Sequence, residues 1–478
     1  MNFAWSVLHI ILSSTWSIGV RPIVSAAPCI RPTRAGTQVQ GDVRICPGHY
    51  RIADPSNRGV IVAAASGTRI ELTGVTLESG DSVPARFDGI GVASRGVDGV
   101  TIVGGSVRGY RLGLRLEGGR GHRIVAIDLS GSRAQRLVST PERADTADRL
   151  DVHHLETIDT YGGGMLLQST VSATVTGVIS RGAQNGIALV DARDSYLSDN
   201  DVSGNTGWAI QLWHSSHNTI VRNNATLTRR CEHGGGCDAA AVLVREGSDS
   251  NTFSDNDLTG SSVGVILAGE PPLAHASIGN LFHRNDVSLA LEYGFLARHT
   301  WATMFLENRA DSSGSGFRLI RVSGTTLRGN TVIGSRDAGI AASHGGDNAL
   351  QQNVVLGGRA GIEVLATEAS SPQGRGYRID DNIVGSVSQG IVLKGVARSR
   401  LRGNVIDGVD DALVIDSAGY ATEVSGNVFL HATGSYIVAP DLAAGGNFWS
   451  TTDAAAAAAR VRGRISVLPW KPASAAGY

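Results

Sequence analysis

The feature that most constrains this chain is an asparagine that returns at nearly fixed intervals, at Asn200, Asn223, Asn256, Asn285, Asn308, Asn330, Asn353, Asn382, Asn404 and Asn427. Successive steps are 22 or 23 residues, with additions that lengthen some to 29 and one to 33. A unit of that size means a stacked solenoid, in which each repeat buries its apolar face against its neighbours. Each unit carries a short apolar alternation opened by a small residue, as in Gly186-Ile187-Ala188-Leu189, Gly264-Val265-Ile266-Leu267 and Gly390-Ile391-Val392-Leu393. Alternation over four or five residues with β-branched content specifies a strand. Two or three strands in a turn of ~22 residues leave no room for helices of ten or more. Leucine-rich repeats would fix Leu at several places, and propeller blades need about 40 residues each. The expectation is an all-β chain, a single-stranded right-handed parallel β-helix of about fifteen coils spaced ~4.8 Å apart. The asparagines then stack on one another at an inner bend.

Composition agrees with that reading. The 62 glycines supply bends, while a net charge of -1 and 5% aromatic content give no reason to expect nucleic acid or an anionic membrane surface. Residues 1–27 read as an export signal: an apolar stretch from Phe3 to Trp16 precedes Ser25-Ala26-Ala27, although no Lys or Arg occurs before Arg21. No later apolar run is long enough to span a membrane, so a secreted or periplasmic protein is expected. Four cysteines fit an oxidising compartment, with Cys29 and Cys46 as one local disulfide and Cys231 and Cys237 as another. The rival reading is a metal site at Cys231, His233 and Cys237, which lacks a fourth ligand at a recognisable spacing; no metal and no other cofactor is expected. Residues 28–58 are expected to cover the N-terminal end, 59–450 to form the β-helix, and 451–478 to cover the other end. There Asp453 caps a short helix, and Ile465-Ser466-Val467-Leu468 with Trp470 close the core.

Function belongs where the repeat is broken. Additions containing Ser139-Thr140-Pro141-Glu142-Arg143, Gly269-Glu270-Pro271-Pro272-Leu273 and Ala366-Thr367-Glu368-Ala369-Ser370 each follow the same strand, and are expected to protrude from one rim as the walls of a groove. Counting from the small leading residue, positions two and four point inward, positions three and five outward, and position six begins the bend. Position five then carries Trp213, Arg245, Arg298 and Lys394; position six carries His214, Glu246, His299, Arg321 and His344; position three adds Gln211, Arg318 and Glu363. Arg298, Arg318 and Arg321 suit uronate carboxylates, with His299 or His344 as the base that removes the adjacent carbon-bound proton. Trp213, His214, Arg245, Glu246, Glu363 and Lys394 are the candidate substrate contacts. Hydrolysis would need two carboxyls about 5–9 Å apart, and Glu246 and Glu363 lie several coils from each other. An outward polar residue on an exposed sheet is equally the ordinary solvated face, and a histidine at a bend is commonly bonded to backbone. Two further constellations stand out: Asp151-Val152-His153-His154, and a coil holding Trp208, Trp213, His214 and His217.

The repeated Gly-Ile-x-Leu strand, the Asn-x-Val bend and the closing Gly446-Asn447-Phe448-Trp449 resemble the parallel β-helix proteins of the pectin-lyase-like superfamily over nearly the whole mature chain. Within it the chain is similar to the carbohydrate-binding and sugar-hydrolase repeat class, including periplasmic copper-insertion accessory proteins of NosD type. The resemblance implies the fold; it implies no single activity, because the superfamily holds lyases, hydrolases, epimerases and proteins with no known reaction. Alginate epimerases of this fold carry Asp-Pro-His-Asp, whereas Asp151-Val152-His153-His154 lacks the Pro and the final acid. Calcium-dependent pectate lyases gather several Asp on adjacent coils, and the outward columns here hold only scattered acids. His344-Gly345-Gly346 lacks the companion motifs of polygalacturonases. Three methionines, counting the first residue, do not make a soft copper site. The expected function is binding of an extended, acidic polysaccharide on the exposed strand face, with lyase or C5-epimerase action open. The alternative is a non-catalytic periplasmic accessory or structural protein of NosD type.

Overall fold

In the computed structural model, which describes residues 29–468 other than 141, 144, 151–156, 231–238, 270–274, 367–373, 418 and 452, the small-led alternations are strands stacked one per coil. Trp208–Trp213, Ala240–Arg245, Val263–Ala268, Tyr293–Arg298, Ser315–Ile320 and Ala338–Ser343 follow one another in parallel register. Position five lines up across them: Trp213 beside Arg245, then Ala268, Arg298, Ile320 and Ser343. These strands belong to a twenty-stranded sheet, and a second, fifteen-stranded sheet takes one short strand from each coil. The chain is a parallel β-helix. Among the described residues no helix is long and apolar enough to cross a membrane.

The asparagines form a continuous hydrogen-bonded column from Asn200 to Asn447. Asn308 illustrates the unit. Its Oδ1 accepts from the backbone N–H of Asn285 at 2.9 Å and from Asn285 Nδ2 at 3.1 Å. Its own Nδ2 donates to the Asn330 carboxamide at 3.0 Å and to the Phe282 carbonyl at 2.9 Å. Every polar atom of the side chain is satisfied without water, which is why a wholly polar residue can sit inside. A second column, Asn218, Asn251 and Asn280, bonds in the same way at another bend. Between the sheets, Phe253, Phe282 and Phe305 stack at 4.8 and 5.2 Å, and Phe295 stacks on Phe317 at 4.8 Å. The leading position is small because it faces the next coil closely. A Cβ on Gly339 would lie 2.2 Å from Val355 Cγ1, and one on Gly361 2.2 Å from Val384 Cγ1.

At the N-terminal end the Cys29–Cys46 disulfide joins residues whose Cα atoms are 4.8 Å apart. Thr37–Val39, Asp42–Arg44 and Gly48–Arg51 already pair with the three strands of the next coil, so the β-helix begins inside the segment expected to be its cover. Its bends are built from Gly and Pro, and no asparagine marks the period there. At the other end Asp453 caps Ala454–Ala458, accepting from the Ala455 N–H at 2.9 Å, and Val461–Ser466 pairs with Ile437–Ala443. Trp470 lies outside the described residues, as do residues 1–28 and the Cys231 and Cys237 pair.

The outer face of the large sheet departs from expectation. The outward residues Ala188, Gln211 and Leu243 are wholly buried, and Ile266 and Leu296 nearly so. Their cover is the insertion between strands Arg123–Val125 and Gly163–Gln168. Ile158 packs with Ile90, Leu112, Leu166, Ala188 and Trp213, while Leu150 packs with Trp208, Leu243, Ile266 and Leu296. The insertion lies down on the sheet because the outward positions beneath it are apolar, rather than standing up as a wall.

Candidate functional site

Asp148 anchors the covering insertion. It is 2% exposed and accepts from the backbone N–H of Val138 at 3.0 Å and of Ser139 at 2.6 Å. Arg230, also buried, donates to the Asp148 carbonyl, to Gln135 and to the Thr206 carbonyl. Burial pulls Arg230 down to about 10. Burial alone would raise Asp148, but the bonds from Ser139 and Val138, with the charge of Arg230, leave it below the usual carboxylate range. A lowered carboxyl stabilises the docked insertion above its unfolded value of about 3.8, and that contribution is lost as pH falls through the lower folded value. Limited proteolysis should therefore cut residues 133–161 faster below about pH 4. Asp148→Asn should show the same release at neutral pH, with an opening equilibrium raised about 10–100-fold by the loss of charge-assisted bonds.

The cover shortens the strip read from sequence. Trp213 and Arg245 are 6% and 2% exposed, and Arg245 stacks on the Trp213 ring at 5.7 Å. Trp213 packs with Ile158 of the insertion and Arg245 is buried against Trp213 and Glu246, so the structure corrects their assignment to an exposed substrate strip. Trp208 is buried too. Glu363 receives both ends of the Arg359 guanidinium at 3.0 and 2.8 Å, and so presents no open carboxylate to a ligand. Gln211 is fully buried and its side-chain amide has no hydrogen-bond partner among the described residues. Asp151-Val152-His153-His154 lies outside the described residues.

From Tyr293–Arg298 onward the strip is basic. Arg298, Arg321 and Lys394 are exposed, and Arg318, His299 and His344 half-buried. Among the described residues Arg298, Arg318 and Lys394 form no ion pair. Along the other sheet Arg222, Arg284 and Arg400 bond to Asp199, Asp255 and Asp380 of the preceding coil, while the exposed Arg328, Arg378 and Arg402 form no ion pair among the described residues. The Arg222 and Arg284 bonds hold Asp199 and Asp255 below the usual carboxylate range. The basic groups lie within a run of five consecutive strands, from Tyr293–Arg298 to Ile383–Lys394. At ~4.8 Å per coil they span about 20 Å. His299 and His344 are two coils apart, roughly 10 Å, so a single bond would be served by one of them.

His344 opens a cleft of about 500 Å³ lined also by Ser323, Asp347, Arg375, Arg398 and Tyr420. Arg398 lies over the Tyr420 ring at 6.0 Å. Arg375, Arg398 and Tyr420 have no place in the six-position register, because they lie beyond position six, Arg375 in the short strand Gly374–Arg375 and Arg398 just after its partner Val396–Ala397. Position six itself is left-handed on coil after coil, with φ of 46° at His214, 51° at Glu246, 50° at His299, 52° at Arg321 and 51° at His344. Isolated non-glycine residues with such angles are uncommon, but the repetition, shared by Ser169 and Asp191, identifies bend geometry rather than local strain.

A third grouping forms where the strip meets the insertion. His214, Glu246 and His275 each direct one donor atom into a space where the three lie within 4.8 Å of one another. His214 and Glu246 are position-six residues of adjacent coils. His275 comes from the addition behind the 29-residue step to Asn285, and sequence reasoning missed it because an inserted residue has no register.

The sequence matches the family described as periplasmic copper-binding protein (NosD) over residues 79–303 and 274–454. The chain belongs to the NosD family. No curated protein sequence matches it. Among solved structures this NosD-family chain is similar to the periplasmic alginate epimerase AlgG, at 12% identity over 81% of this chain and 76% of that one, TM-score 0.40. It is also similar to PfbA, a surface adhesin of Streptococcus pneumoniae, at 13% identity over 83% and 84% of the two chains, TM-score 0.39. The tailspike protein of E. coli bacteriophage HK620, solved with a hexasaccharide, is 9% identical over 84% of this chain and 69% of that one, TM-score 0.46.

Proposed function

We propose that this NosD-family protein is exported and binds an extended acidic polysaccharide on the outer face of the coils from Tyr293–Arg298 to Ile383–Lys394. The observation that carries the reading is the set of exposed or half-buried cations there, Arg298, Arg318 and Lys394, with no carboxylate partner among the described residues. On the opposite sheet Arg222, Arg284 and Arg400 are neutralised by Asp199, Asp255 and Asp380, whereas the cations of this strip lie side by side on neighbouring coils. Charge-assisted, bidentate pairing with carboxylates is what guanidinium groups do best. The His344 cleft, with Arg375, Arg398 and the Tyr420 ring, supplies a pocket for one sugar unit along that path. If the site turns substrate over, an arginine neutralises the uronate carboxylate and a histidine removes the proton from the carbon beside it. Expulsion of the 4-linked sugar oxygen then gives elimination, and return of a proton from the opposite face gives epimerisation.

Equilibrium binding to a polyuronate and to a neutral polymer of equal length, at low and high salt, tests the reading. The expected result is saturable binding to the polyuronate alone, weakening as salt rises. Equal binding to both polymers, or to neither, rejects it. Ultraviolet absorbance from unsaturated ends and solvent-proton exchange into the polymer distinguish elimination and epimerisation from binding alone.

A second reading is favoured by the His214, Glu246 and His275 grouping. The family's description names copper, and this chain in that reading is a periplasmic metal-handling accessory protein.

A further inference from the structure

Position six of three successive coils builds a column of alternating acid and imidazole. Asp191 Oδ1 lies 3.6 Å from His214 Nδ1, Glu246 follows on the next coil, and His275 Nδ1 lies 2.8 Å from Glu246 Oε2. We propose that His214, Glu246 and His275 are the ligands of a site for a divalent late transition-metal ion, Cu(II) or Zn(II). The proposal deepens the metal-handling reading and is independent of the polysaccharide one.

The donor set decides the chemistry. Two imidazoles and a carboxylate are borderline ligands that suit Cu(II) and Zn(II); without a thiolate or thioether among them they do not select Cu(I). Around a four-coordinate ion the donors stand about 3.4 Å apart, given metal–nitrogen distances of about 2.0–2.1 Å. The present contact of 2.8 Å opens slightly on binding, and the outermost donor moves inward from its limit of 4.8 Å. The side chains permit this: the two imidazoles are about half exposed, at 47% and 48%, whereas Glu246 is held at 11%. The fixed carboxylate is thus the anchor and the mobile rings close on the ion.

The surroundings are those of a tuned site. Arg245 Nη2 lies 3.3 Å from Glu246 Oε1, so it fixes one carboxylate oxygen and leaves the other, Oε2, to face His275. Arg245 is itself pinned by its stack on Trp213, whose ring lies edge-on to His214 at 6.1 Å. Asp191 Oδ1, at 3.6 Å from His214 Nδ1, is too far for a hydrogen bond and adds a negative charge beside the site. Three ligands leave further positions for water or for an incoming group, so the site is open rather than structural. Deprotonated donors are required, so binding releases protons and weakens in acid.

Calorimetric titration of the full-length protein with copper(II) sulfate and with zinc sulfate tests the site, with electron paramagnetic resonance of the copper form as second readout. The wild type is expected to bind one ion per chain with nitrogen hyperfine coupling from two imidazoles. His214→Ala and His275→Ala are expected to lose about 100-fold or more in affinity and one nitrogen each. Glu246→Gln keeps the side-chain shape and should lose affinity without losing nitrogen coupling. Because His214 and His275 are half exposed, circular dichroism should show both variants folded. Copper binding that survives all three ligand substitutions overturns this site while leaving the metal-handling reading standing. Absence of binding by the wild type overturns both, and means that Glu246 and His275 form only an ion pair.

Discussion

Asn308→Ala is expected to lower the free energy of unfolding by about 3–5 kcal/mol, from the loss of several buried hydrogen bonds with their partners left in place. The alanine removes an acceptor from the Asn285 N–H and Nδ2, a donor from the Phe282 carbonyl, and a donor from the Asn330 carboxamide. None of these groups can turn to water, since Asn285, Asn308 and Asn330 are at most 1% exposed. The change removes no large apolar group, so the effect isolates the polar column. Urea unfolding followed by circular dichroism gives the shift in midpoint. A shift corresponding to less than about 1 kcal/mol would mean that the column is incidental to a fold held by its phenylalanine stack. Asn427, nearer the end, should cost less when removed if terminal coils open independently, as repeat arrays do.

Charge reversal on the strip has the second large expected effect. Arg298→Glu with Arg318→Glu should reduce affinity for a polyuronate by about 100-fold or more at low salt, since each charge-assisted bond lost is worth about 1.5–3 kcal/mol. The salt dependence should flatten with it. Both side chains lie on the outer face of adjacent, paired strands, and neither forms an ion pair with a described residue, so the fold should survive. Matching reversal of Arg222 and Arg284 on the other sheet provides the control. Those groups are already bonded to Asp199 and Asp255, and their replacement should leave polymer affinity within about twofold while slightly lowering stability.

The architecture was legible because one bend requires one chemistry. Only a side chain with a donor and an acceptor can bond to its own kind in both directions, so the asparagine recurs visibly and sets the register. The second column, Asn218, Asn251 and Asn280, has just as regular a geometry. It spans too few coils to stand out in sequence. The site was legible only where it obeys the register. Arg298, Arg318, His299, Arg321, His344 and Lys394 could be placed on one strip by counting, as could His214 and Glu246. His275, Arg375, Arg398 and Tyr420 could not, since insertions and later bends carry no period. Counting also gave direction without environment. Trp213 and Arg245 occupy outward positions, yet both are buried, Trp213 beneath Ile158 of the insertion and Arg245 against Trp213. That insertion comes from a coil that sequence order gives no reason to place over theirs.

Hydrogen exchange is to be measured on the free protein and on its complex with an oligouronate. Added protection is expected only on the outer strip and its bends, from Tyr293–Arg298 through Ile383–Lys394 to Arg398, with the fifteen-stranded sheet unchanged. Protection on the fifteen-stranded sheet, or spread evenly over the coils, would contradict binding on that strip.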